Sequence, residues 1–115
     1  MRKSISFLAV AFATAAITPA TAWGHASVIG RTPAPSSTVH AVRSVGIKCN
    51  EGVVTGKLTV TKGGKLVGKG LLVNHNKEIN ANFSKSLPRG VYTVSWRCLS
   101  DDGHRESGSW AFTVR

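Results

Sequence analysis

Sulfur and negative charge are both scarce in this chain of 115 residues. Met1 is the only methionine, Cys49 and Cys98 are the only cysteines, and five acidic residues face fifteen lysines and arginines. A single methionine excludes a thioether-rich site for a soft metal ion. The absence of C-x-x-C spacing argues against a thioredoxin-like dithiol or a thiolate metal knuckle. No G-x-S-x-G elbow is present, which removes the usual mark of a serine hydrolase. No apolar run after Gly24 is long enough to cross a bilayer, which takes about 20 residues, and no 3.6-residue period survives beyond that point.

What the chain does contain begins with Arg2 and Lys3, followed by an apolar run over residues 5–17 and a small, polar stretch to Gly24. That layout predicts a cleavable signal peptide over residues 1–24 and an exported domain over residues 25–115. Two cleavage points fit. Cutting after Gly24 makes His25 the first residue, whereas cutting after Ala22 leaves Trp23-Gly24-His25 as the new terminus.

Beyond residue 42 the dominant period is two, as in Val45, Ile47, Cys49 and in Tyr92, Val94, Trp96, Cys98. Further strands are expected over residues 27–32, 57–62, 65–73, 77–83 and 109–115. Gly63-Gly64 reads as a two-residue hairpin, Asn74 to Asn76 as a polar loop, and Pro88-Arg89-Gly90 as a tight turn. About seven short strands predict an all-β, immunoglobulin-like Greek-key β-sandwich or barrel.

Cys49 and Cys98 fall on the inward faces of their strands, and outside the cytosol two such cysteines are expected to be oxidised to one disulfide. In the chain-entropy model a bridge of that span is worth about 4 kcal/mol. A reactive dithiol and a thiolate metal pair are the weaker alternatives. Loss of Arg2 and Lys3 lowers the basic count from 15 to 13, which against five acids leaves +8. The basic residues are spread between apolar strand positions. Export and few aromatics among them disfavour nucleic acid and point any anionic partner to the cell envelope.

Among the four histidines, His25 carries the most chemistry. As a first residue it offers its α-amine and its own Nδ1 to one metal, a nitrogen pair suited to Cu(II). The amine must first lose its proton, at a reference pKa of about 7.7–8. With Trp23 as first residue, a third-position His25 would instead wrap Cu(II) or Ni(II) through backbone amides. Asp102 and His104, in Ser100-Asp101-Asp102-Gly103-His104, can converge around a glycine turn as one oxygen and one nitrogen donor. Spacing alone leaves plain turn chemistry as the commoner explanation of that pair. His40 and His75 belong to no motif and are expected in exposed loops.

Residues 25–39, HASVIGRTPAPSSTV, resemble the amino-terminal H-A-x-L-x-x-S-x-P-A signature of the CopC copper resistance family. Residues 87–104 contain LPRGVYTVSWR and SDDGH, similar to the family's L-P-x-G-x-Y-x-V-x-W-R and S-x-D-G-H block, in the same order. The resemblance implies a periplasmic protein that binds one Cu(II) ion per chain through His25, Asp102 and His104, with Glu51 beside the ion. It implies a monomeric carrier or buffer that is not an enzyme and exchanges copper with a membrane transporter or another acceptor. The methionine-rich loop of some relatives is missing. Cys49 and Cys98 replace an aromatic and a small aliphatic residue, which fits a paired replacement. Two rivals remain open at this point: a cationic immunoglobulin-like module docked on envelope anions, and a terminal-histidine copper oxygenase.

Overall fold

The computed structural model describes residues 26–115; the expected leader and His25 lie outside the described residues. Nine strands follow one another: β1 (Val28–Thr32), β2 (Thr38–Val39), β3 (Ser44–Cys49), β4 (Thr55–Lys62), β5 (Lys65–Lys69), β6 (Leu71–Val73), β7 (Glu78–Asn82), β8 (Gly90–Leu99) and β9 (Arg105–Val114). They form a four-stranded sheet, β1-β3-β7-β6, and a five-stranded sheet, β2-β9-β8-β4-β5. The two-residue β2 pairs parallel with β9, and every other pairing is antiparallel. No helix among the described residues is long and apolar enough to cross a membrane.

The two-residue side-chain period dictates how the sheets face each other. Tyr92, Val94, Trp96 and Cys98 of β8 are buried while Val91, Thr93, Ser95 and Arg97 between them are exposed. The same alternation buries Trp110, Phe112 and Val114 of β9, Leu58 and Val60 of β4, Val45, Ile47 and Cys49 of β3, and Ile79 and Ala81 of β7. These two inner faces make one core. Tyr92 stacks on Phe112 with ring centroids 5.3 Å apart. Its hydroxyl donates to Pro88 O four residues upstream, the corner bond common in immunoglobulin-like sandwiches, and burial pushes the phenol's pKa up.

Gly63 and Gly64, both at positive φ, close the β4-β5 hairpin as expected. The single strand expected over residues 65–73 is instead two. β5 belongs to the five-stranded sheet and β6 to the four-stranded one, with Gly70 at the crossing. There the chain presses against both layers: a Cβ on Gly70 would lie 2.7 Å from Ile79 Cγ2 and 2.9 Å from Leu58 Cβ. The last strand starts at Arg105, earlier than its apolar residues suggest, because β8 pairs with it along its whole length, from Gly90↔Val114 to Leu99↔Arg105.

The two core tryptophans differ in one bond. Trp110 Nε1 donates to Pro33 O at 2.9 Å, whereas the buried Trp96 Nε1 has no acceptor. Both are 7% exposed, so replacing either by Phe removes similar buried surface. Trp110→Phe also strands the Pro33 carbonyl. It is expected to cost about 1–2 kcal/mol more in urea unfolding than Trp96→Phe, which releases an unsatisfied donor. Equal costs would contradict this assignment.

Candidate metal centre

At one end of the sandwich β8 turns into β9 over residues 100–104. Ser100 N–H donates to His104 O at 2.8 Å and Gly103 N–H to Ser100 O at 3.0 Å, with Gly103 at a φ of 83° that favours glycine. Inside this turn His104 N–H donates to Asp102 Oδ1 at 2.9 Å. That bond holds the carboxylate beside the residue that carries the imidazole, and a carboxylate keeps further lone pairs after accepting it. Asp102 and His104 both lie exposed on the rim.

The amino-terminal segment is tied to the same turn. Ala26 N–H donates to Ser100 Oγ at 3.1 Å, and Ala26 and Ser100 are each 2% exposed. One residue on, Ser27 N–H donates to Asn50 Oδ1 at 2.7 Å, and Asn50 N–H returns a bond to Ser27 O at 3.0 Å. β1 is thus pinned between the β8-β9 turn and the segment that follows β3.

Glu51 is exposed immediately after Asn50, at this same end. His75 is here too, in the β6-β7 turn at positive φ: a Cβ on Gly52 would lie 2.9 Å from His75 O, and Val53 N–H donates to Asn76 O at 3.0 Å. His40 is exposed in the segment between β2 and β3. Among the described residues no three His, Cys, Asp or Glu side chains gather closely enough to hold a metal ion. Asp102 and His104 supply two donors and need others to complete a set.

Cys49 and Cys98 meet across the two sheets just beneath this end, but the bridge expected from the sequence is not formed. Both are buried free thiols. The two thiols are close enough to influence each other's proton affinity. Burial pushes both thiols up, Cys98 to about 12, and the neighbouring Glu106 carboxylate pushes them further in the same direction. Glu106 lies opposite Cys98 in the β8-β9 pairing.

Motif reasoning assigned no role to three residues at this end, Ser100, Asn50 and Glu106, although Ser100 opens the S-x-D-G-H block. Ser100 had a visible signal, since it continues the inward series 92, 94, 96, 98. Asn50 and Glu106 had none, because a polar residue at a strand end and an acid in a polar stretch are ordinary.

These features define a two-layer β-sandwich of the immunoglobulin-like kind whose amino-terminal strand is fastened to a donor-bearing turn. The CopC domain family model matches residues 28–115, and the chain belongs to the CopC family. Protein YobA of Escherichia coli strain K12 is 30% identical over 122 residues, covering 98% of this chain and 96% of the relative. Copper resistance protein C of Xanthomonas campestris pv. juglandis is 26% identical over 117 residues, covering 92% of each. Among solved structures, CopC from Methylosinus trichosporium OB3b superposes with a TM-score of 0.69 at 28% identity, over 78% of this chain and 93% of that one. PcoC, a methionine-rich copper resistance protein from Escherichia coli, gives 0.63 at 26% identity, over 79% and 99%.

The thiol pair makes stability depend on alkaline pH. Unfolded thiols titrate near about 8.5, while folded Cys98 holds its proton to about 12. Between those values the folded state keeps a proton that the unfolded state releases, so this stabilisation is complete below the lower value and lost as pH rises through the higher. The urea midpoint of reduced protein is expected to fall from about pH 8 to about pH 11. Thiolate absorbance at about pH 10 should be missing from folded protein and present in urea; a folded-state thiolate signal would contradict the burial account.

Proposed function

We propose that this chain is a periplasmic carrier or buffer of copper, freed of its leader before His25, that holds one Cu(II) ion per molecule. The ligands are the α-amine and Nδ1 of His25 together with Asp102 and His104. Copper is cargo here, taken up and passed on, and the chain catalyses nothing. Three nitrogens and one oxygen form a donor set suited to a tetragonal Cu(II) ion. Family membership and the copper resistance proteins among the relatives support copper as the ion.

The observation that carries this reading is the bond from Ala26 N–H to the buried Ser100 Oγ. It fastens the residue next to His25 onto the strand that leads into Asp102 and His104, so donors far apart in sequence need only short reaches to a common ion. Glu51 follows Asn50, which is itself bonded to Ser27, and is assigned a place beside the ion without direct ligation. With Met1 as the only methionine, this chain handles the ion without the methionine-rich character named for PcoC, which favours the oxidised form.

If the ion binds only the folded state, copper adds stability by mass action, about 2.7 kcal/mol at a hundredfold excess over Kd. For a domain of this size that is a rise in Tm on the order of 10 °C. The exported protein, its terminus checked by intact mass, is expected to show that rise with Cu(II). His25→Ala and His104→Ala should each remove most of it. An undiminished rise in both variants would mean that copper binds elsewhere, with His40 and His75 the first places to look.

A further inference from the structure

The outer face of the five-stranded sheet has a charge pattern that neither the core nor the copper reading requires. Strand register aligns Lys57, Arg97 and Ser107 in one row across β4, β8 and β9, and Thr59, Ser95 and Ser109 in the next. Lys57 and Arg97 are therefore directly opposite each other, both exposed. Arg105 adds a third cation on the same face, two residues from Ser107 and diagonal to Arg97.

Like charges directly opposed across an antiparallel pair destabilise it. One acid is close by: Glu106 lines the same hollow, so three cations share that hollow with a single carboxylate. Glu106 also acts on the buried thiols, which it pushes up. Glu78 is in the other sheet, and Glu51, Asp101 and Asp102 are in end loops. A departure from local stability rules is expected where a surface serves a ligand.

This face is also concave. Two adjoining hollows share Lys57, Arg97 and Ser107, and the larger, of about 610 Å³, reaches Arg105 and Glu106. That size suits a small ligand. Guanidinium forks and an ammonium bind tetrahedral oxyanions, and serine and threonine hydroxyls donate to the remaining oxygens.

We propose that this face is a binding site for a phosphate-class oxyanion, centred on Arg97 and completed by Lys57, Arg105 and the hydroxyls of Ser107 and Ser95. The site is independent of copper and stands or falls apart from the carrier reading. Its ligand is a phosphate or diphosphate group, whether free or on a lipid headgroup.

The test uses the exported protein in copper-free buffer at constant ionic strength, with sodium pyrophosphate as the soluble probe. A second arm compares phosphatidylcholine vesicles with vesicles that also carry phosphatidylglycerol. Saturable binding is expected in at least one arm: binding in the first identifies a soluble phosphate, and binding in the second alone identifies a headgroup. Arg97→Gln should weaken it by roughly tenfold or more, whereas Lys85→Gln, in an exposed loop, should leave it unchanged. In anion-free buffer Arg97→Gln should also melt higher than wild type, since it removes the opposed charges. The proposal is overturned by no saturable binding in either arm, by equal losses in both variants, or by Arg97-dependent capture of poly-glutamate without any phosphate response.

Discussion

One bond, from the backbone of Ala26 to the buried hydroxyl of Ser100, sets the geometry of the end of the sandwich that carries Asp102 and His104. Without it β1 would be an edge strand held only by β3, free to fray from its first residue. With it, the chain's entry into the fold is fastened to the β8-β9 turn of the opposite sheet. The reciprocal Ser27 and Asn50 bonds repeat the device one residue later, this time to the segment after β3. The two anchors come from different sheets. A reagent that separates the layers would also separate the proposed copper donors.

The buried thiols lie directly below these anchors. Cys49 immediately precedes Asn50, and Cys98 is two residues before Ser100, so the pair spans the core where the anchors span the rim. Packing, not covalent closure, holds the layers together at this level. The cost is visible in the thiols themselves, whose charged forms are disfavoured by burial and by Glu106. A carboxylate beside two neutral thiols is tolerated because Glu106 is only partly buried. The outer face of the same hairpin carries the opposed Lys57 and Arg97.

Much of this fold was legible because strand alternation in β3 and β8 is nearly unbroken, and because Gly63-Gly64 permits little besides a tight hairpin. The crossing at Gly70 was not legible. Leu71, Leu72 and Val73 continue the apolar character of β5, and only the approach of Ile79 and Leu58 reveals a change of sheet. The start of β9 was hidden for a related reason: Arg105 to Gly108 are polar or small, and their strand conformation comes from pairing with β8. At the candidate centre, the motif residues could be named from spacing and resemblance. The anchor that ties Ala26 to the β8-β9 turn depends on a side-chain bond across 74 positions of sequence, which no local pattern encodes. The disulfide was expected from inward direction and compartment; the structure holds the two cysteines as free thiols, since bond formation also depends on the separation of the sulfurs.

A crystal structure of the leader-free protein grown with one equivalent of Cu(II) tests the central claim most directly. The account predicts a single ion that touches both the terminal amine of His25 and the imidazole of His104, with the Ala26 to Ser100 bond intact beside it. An ion wrapped by the amino terminus alone, or bound at His75 with the β8-β9 turn untouched, would contradict it.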